Sequence, residues 1–140
     1  MQTYPTGYAQ SHRMAEHIFR DILPRRGMAV REEQIALCHE ILDTLYNKEI
    51  SLCEAGVGIG KFQAQLTACV LWQTNRPDRL KLPVVISTSS VVLQDAIIND
   101  YLPNLSAILL EEGIIQVPLT AVIRKGKERF VCDARLAERA

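Results

Sequence analysis

The residues best suited to chemistry lie in one run, Glu54-Ala55-Gly56-Val57-Gly58-Ile59-Gly60-Lys61. From Ala55 onward it follows the phosphate-binding pattern Gly-x-x-x-x-Gly-Lys-Ser/Thr, with Ala in the first small position and the last hydroxyl missing. The glycines of the run have access to backbone angles closed to other residues, so successive N–H groups can turn inward around a phosphate. A helix starting directly after such a loop aims its unpaired N–H groups and positive dipole end at the same anion. Lys61 supplies a point charge for the outer phosphates. Position 62 is Phe, where a Ser or Thr hydroxyl normally helps hold Mg²⁺. Nucleotide binding survives that change better than hydrolysis does.

Such a loop needs a strand before it and a helix after it. Residues 49–53 carry apolar Ile50 and Leu52 in alternation and read as a short strand. Residues 63–73 run without Gly or Pro through Leu66, Ala68, Cys69, Val70 and Trp72, which predicts a helix. Upstream, Met14, Ile18, Phe19 and Ile22 recur at helical spacing over 9–23, closed by Pro24, with a turn at 25–27. Ile35, Cys38, Ile41, Leu42 and Leu45 mark a second helix over 31–46. Downstream, the β-branched run 83–88 predicts a buried strand. Thr88, Ser89 and Ser90 offer N-caps for a helix over 91–101. Residues 104–112 form a short helix stopped by Gly113, and 114–124 are extended. Strands alternating with helices imply an α/β fold with a parallel sheet flanked by helices.

Ile108-Leu109-Leu110-Glu111-Glu112 imitates an apolar strand followed by a metal-binding acidic pair, but it lacks Asp at the metal position. With Gly113 behind it, it reads as the end of an amphipathic helix.

The 140 residues fit one domain, and 48% apolar with 23% charged residues is ordinary for a globular protein. A formal net charge of zero means that any polyanion site must be local. Arg124, Lys125, Lys127 and Arg129, with Phe130 beside them, form the densest basic cluster, a composition suited to a backbone-tracking groove or to a solvated loop. No apolar run reaches membrane-spanning length and no signal-peptide core opens the chain, so a cytoplasmic protein is expected. Cys38, Cys53, Cys69 and Cys132 show no Cys-x-x-Cys spacing, and the first three read as small buried hydrophobes.

Four segments in order resemble the start of a DinG/XPD-type superfamily 2 ATP-dependent DNA helicase. Val30-Arg31-Glu32-Glu33-Gln34 is similar to the upstream Arg-x-x-Gln element of that family. Residues 54–61 resemble its Glu-Ala-Gly-Thr-Gly-Thr-Gly-Lys-Thr loop, with Val57 and Ile59 in place of Thr. Residues 85–94, Val-Ile-Ser-Thr-Ser-Ser-Val-Val-Leu-Gln, look like its next motif, and 124–132 resemble its Lys-Gly-Arg-x-x-Tyr-x-Cys segment. The resemblance spans roughly residues 30–135.

The resemblance implies a partial RecA-like P-loop motor domain over 30–140, preceded by an N-terminal helical extension over 1–29. It implies ATP as ligand, with Arg31 and Gln34 on the adenine side. Ala55, Gly56, Val57, Gly58, Ile59, Gly60 and Lys61 would hold the phosphates, with Lys61 as the catalytic charge. Thr88, Ser89, Ser90 and Gln94 would touch the backbone of single-stranded DNA. Cys132 would supply the first ligand of a 4Fe-4S cluster, whose insertion is expected to start near the chain's end. Phe62 weakens the Mg²⁺ site, and the acidic Asp-Glu-x-His box, the arginine finger and three cluster cysteines are missing. An N-terminal piece or truncated relative, partnered by the remainder of a helicase, is therefore expected, with hydrolysis only in the intact enzyme. The alternative is a non-hydrolysing P-loop nucleotide-binding or interaction module. With three strands at most, some apolar strand residues are expected to face solvent.

Overall fold

The computed structural model describes residues 5–56, 58–77 and 82–126. Helix α1 spans Tyr8–His17 and runs through a π-helical turn, Ile18–Ile22, into the short α2, Leu23–Arg25. Helix α3 is Glu32–Asn47 and α4 is Lys61–Thr74. Helix α5, Val91–Ala96, passes through a second π turn, Ile97–Tyr101, into α6, Leu102–Glu111.

Both π turns are followed by a proline in the first turn of the next helix, Pro24 in α2 and Pro103 in α6. Proline has no N–H to give, and the first helical turn is where a missing N–H is tolerated. Pro24 therefore does not close the helix as expected, and the chain reverses at Arg26 and Gly27 instead.

Helices α1, α3 and α4 pack on one another, and α4 also touches the second π turn. On α3 the buried positions are Ile35, Cys38, Leu42 and Tyr46, one stripe at helical spacing. Helix α4 differs, since Ala64, Leu66, Thr67, Ala68, Cys69, Val70 and Leu71 are all buried. A helix that is apolar all round belongs in the middle, and α4 occupies that place. Ile18, Phe19 and Ile22 of the first π turn, Ile97 of the second, and Leu105, Ile108 and Leu109 of α6 complete a single core.

A buried hydroxyl joins the three central helices. Ser11 Oγ lies 2.6 Å from Tyr46 Oη, donates to the Leu71 carbonyl at 3.2 Å and accepts from Asn75 Nδ2 at 2.9 Å. Gly7, just before α1, has φ 88°, and a Cβ there would stand 2.4 Å from the Asn75 carbonyl. That close approach fixes how the chain enters α1 against the end of α4.

The expected sheet is not present. Among the described residues there is no strand, so the fold is helical and the α/β, RecA-like expectation is corrected. The segments read as strands, 49–53, 83–88 and 114–124, are free of helix but pair in no ladder. Their side chains show the consequence: Leu52 is 100% exposed, Ile50 96% and Val85 86%. Alternating and β-branched residues favour extension, but a strand also needs a neighbour to take its N–H and C=O groups. The expectation of a buried strand at 83–88 fails for that reason, whereas the expected exposure of apolar strand residues is observed.

The acidic pair Glu111–Glu112 ends α6 as a helix, with Ile114 N donating back to the Leu109 carbonyl at 2.9 Å. Arg26 meets Glu111 at 2.6 Å and Arg25 meets Glu112 at 3.5 Å, tying the end of α6 to the end of α2. Cys38 and Cys69 are buried, but Cys53 is exposed, against expectation. No helix of the described residues is long and apolar enough to cross a membrane.

Replacing Ile50 and Leu52 together by Ser discriminates the helical architecture from a sheet. Because both side chains already face solvent, stability should change by less than about 0.5 kcal/mol. A loss of several kcal/mol in urea unfolding would mean that both side chains are buried in a packed sheet.

Candidate nucleotide site

Gly60 is the N-cap of α4, with φ 79° and ψ 48°, and no side chain caps the helix. Gly58 also takes a left-handed φ of 81°. The first turn of α4, at Lys61, Phe62 and Gln63, follows this left-handed corner, and Lys61 is exposed at its start. An uncapped helix start keeps its N–H groups and the positive end of its dipole available to an anion. Of the loop glycines, Gly58 and Gly60 are left-handed and Gly56 is not, while Val57 lies outside the described residues.

Helix α3 holds this loop. Gln34 is buried and donates from Nε2 to the Gly60 carbonyl at 3.0 Å, and the Arg31 guanidinium donates to the Gly58 carbonyl. A Cβ on Gly60 would stand 2.3 Å from Gln34 Nε2, so its φ calls for glycine and a side chain there would also displace the Gln34 amide. Both residues expected on the adenine side are therefore brought to the loop. Their observed hydrogen bonds go to loop carbonyls, which turns those carbonyls toward α3.

Phe62 is half-buried, packs against the core and lies 6.3 Å from Tyr101, ring centre to ring centre. Apolar packing occupies the position where a hydroxyl would help hold Mg²⁺. Among the described residues, no group of three or more His, Cys, Asp or Glu side chains is arranged to hold a metal ion.

On the other side of the loop, α3 and the segment 52–56 enclose an open cavity of about 630 Å³. Glu33, Glu40 and Glu54 line it with Leu37, Cys53 and Ile59. Three carboxylates disfavour a phosphate in this cavity, which Ala55 and Gly56 of the expected phosphate loop also line. Sequence reading missed these acids. Glu33, Ala36, Leu37 and Glu40 follow the i, i+3, i+4, i+7 spacing of one helix face, which was the available signal.

The segment expected to touch DNA is a helix cap. Ser90 Oγ accepts from Leu93 N at 3.2 Å, and Thr88 Oγ1 accepts from Ser90 N at 3.2 Å. Ser89 is exposed and Gln94 half-buried. Lys125 faces Asp95 of α5 at 3.7 Å. Lys127, Arg129, Phe130 and Cys132 lie outside the described residues. The other cysteines do not form a cluster site. Burial raises the Cys69 thiol to about 11 and pushes Cys38 up further, so both are neutral core residues.

Comparison with known proteins places this geometry. The chain is 32% identical over 117 residues to the 3'-5' exonuclease DinG of Bacillus subtilis, covering 84% of this chain and 11% of that protein. It is 29% identical over 114 residues to the ATP-dependent DNA helicase YoaA of Escherichia coli, covering 81% of this chain and 16% of YoaA. With DinG of Staphylococcus aureus the identity is 25% over 114 residues, 81% of this chain and 12% of that protein. The chain is a relative of the DinG-type helicases. It spans between about a tenth and a sixth of the length of these relatives. No family model matches the chain, and no solved structure matches it.

The contact between Gly60 and Gln34 generates a test. Gly60→Ala should destabilise the chain by about 1–3 kcal/mol, the usual magnitude for a left-handed backbone plus a clash. Adding Gln34→Ala should recover the steric share, measured as a positive coupling in a double-mutant cycle. Strict additivity would show that the two residues do not meet.

Proposed function

We propose that this chain binds the phosphates of ATP at the start of α4 and contributes that site to a DinG-type ATP-dependent DNA helicase. The observation that carries the reading is the uncapped N-terminus of α4, with Gly60 in the left-handed region and Lys61 exposed beside it. Arg31 and Gln34 act as positioning residues, since they hold the loop carbonyls away from the anion and so keep loop N–H groups available to it. Thr88, Ser89, Ser90 and Gln94 are the proposed contact to single-stranded DNA, through phosphates and not base edges. The remainder of the helicase is the partner that supplies hydrolysis.

Phe62 supports a second reading, a non-hydrolysing nucleotide-binding module. Its ring is committed to packing near Tyr101, so the loop offers no hydroxyl to Mg²⁺. A 4Fe-4S cluster in the full-length helicase, with Cys132 as its first ligand, is part of the same proposal, and Cys132 lies outside the described residues.

Titration of the 140-residue chain with ATP tests both readings. Lys61→Ala should weaken binding about 10- to 150-fold, the equivalent of roughly 1.5–3 kcal/mol for a charge-assisted contact. Equal affinity in parent and variant would reduce the loop to a turn.

Phe62→Thr should make ATP affinity depend more strongly on Mg²⁺, because the restored hydroxyl is one of few protein ligands for that ion. It should not bring hydrolysis. Efficient ATP turnover by the unsubstituted chain would refute the assignment of hydrolysis to the rest of the helicase.

A further inference from the structure

Away from the loop, a line of ionisable side chains crosses the seam between α1 and α3. His12 on α1 and His39 on α3 bring their Nδ1 atoms to 2.5 Å. The ring centres are 4.8 Å apart and the planes only 10° apart. Two rings stacked face to face cannot bring ring atoms as close as 2.5 Å, so these rings meet edge to edge. Each nitrogen points at the other. Beyond them, His39 Nε2 lies 2.8 Å from Glu16 Oε1, and Glu16 continues to Arg20. Arg20 in turn grips Glu32 with two bonds of 2.7 and 2.9 Å. On the other side, His12 Nε2 sits 3.0 Å from Asp43 Oδ1, at too oblique an angle for a hydrogen bond. That same carboxylate oxygen accepts from Tyr8 Oη at 2.5 Å.

Proton counting along this line has a definite outcome. With both rings neutral, His39 donates from Nε2 to Glu16, and its Nδ1 lone pair accepts from His12 Nδ1–H. One further proton can sit on His12 Nε2, beside the Asp43 carboxylate. A second further proton has no place except His39 Nδ1, where it would face the N–H of His12 at 2.5 Å. Two donors and two positive charges would then point at each other.

We propose that the His12–His39 pair is an acid-sensitive latch between α1 and α3, closed with up to one proton added and opened by the second. The groups facing it are Tyr8, Glu16 and Arg20 from α1 and its π turn, and Glu32 and Asp43 from α3. Helix α4, packed on both, brings the Cys69 thiol beside Cys38, kept neutral by burial, and Arg76 follows it toward Tyr46. The remaining histidine, His17, is exposed and faces Asp21.

The pKa of His12 is lowered, first by burial and then by His39, against the pull of Asp43. A base whose pKa is depressed in the closed state binds its proton more tightly once the seam opens. The His12 contribution to closure is therefore full above the ordinary value of 6.5 and weakens as pH falls below it, before the second proton opens the latch. Because α3 also carries Arg31 and Gln34, opening would loosen the loop at Gly58 and Gly60. The latch stands whether or not that loop binds nucleotide.

Histidine ring NMR and amide exchange on the 140-residue chain, between about pH 8 and pH 5, test it. The His12 ring should respond to pH in two linked steps. Through the second step, amide protection in α1 and α3 should fall by up to about tenfold per pH unit after correction for intrinsic exchange. His12→Asn keeps a polar group near the Nδ1 position but cannot charge, so the fall should vanish, whereas His17→Asn should leave it intact. A single unlinked His12 step, or the same loss of protection in His12→Asn, would overturn the proposal. Should His12→Asn not fold, His39→Asn and the ring titration of the unsubstituted chain decide by the same criteria.

Discussion

The contact between α3 and α4 is the constraint on which the rest of the structure depends. Helix α4 is apolar on nearly every side and must be covered, while α3 has one apolar stripe to offer. Packing the two together fixes both ends of the connection 48–60, whose described residues have no regular structure of their own. Its far end is then held by the buried Gln34 amide on the Gly60 carbonyl, a bond from one packed helix to the cap of the next. The loop is positioned by helix packing. In a strand–loop–helix setting, by contrast, a sheet would set its incoming direction.

Helix α1 closes this arrangement from the other side by means quite unlike the core's. Ala15 and Ile18 contribute ordinary apolar burial, but the same helix also meets α3 and α4 through polar groups. The Ser11 hydroxyl is shared among Tyr46, Leu71 and Asn75, and the next residue, His12, meets His39. Apolar burial is insensitive to exact register, whereas these bonds tolerate little displacement. The seam between α1 and α3 therefore combines nonspecific adhesion with a few directional contacts that define its register and make it responsive to protons.

Much of the helical part was legible in the sequence, and the reason is local. The spacing of Ile35, Cys38 and Leu42 predicts α3 at 31–46, and it is found at Glu32–Asn47. Ser90 was read as an N-cap and is one, because a cap is decided within three residues. The sheet failed as a prediction because pairing is not local. Ile50, Leu52 and Val85 carry the pattern of strands, and nothing in that pattern says whether a partner stands alongside. The π turns were missed as well, since Ile18–Ile22 and Ile97–Tyr101 keep an apolar repeat close to that of an α-helix. At the site, the glycine run predicts a loop with special backbone angles before a helix, and Gly58 and Gly60 are left-handed just ahead of α4. The partners of Arg31 and Gln34 were not legible, because the loop carbonyls they bind lie 27 and 26 residues away.

Position 62 shows how the core and the proposed nucleotide site compete for one residue. It follows the loop directly, where a metal-binding hydroxyl would be placed, yet it also faces the gap between α4 and the second π turn. Burying a Phe side chain contributes about 1.5–3 kcal/mol at full burial and proportionally less when half-exposed. A Thr hydroxyl contributes there only when a nucleotide brings Mg²⁺. With no sheet beneath the loop among the described residues, α4 depends on its helical neighbours for support, and a side chain that ties it to Tyr101 stabilises the chain whether or not a ligand is bound. In this structure the aromatic ring favours the fold at the expense of the metal. That balance fits the proposed phosphate loop, in which Lys61 is kept and the metal-binding hydroxyl is replaced by a packing aromatic.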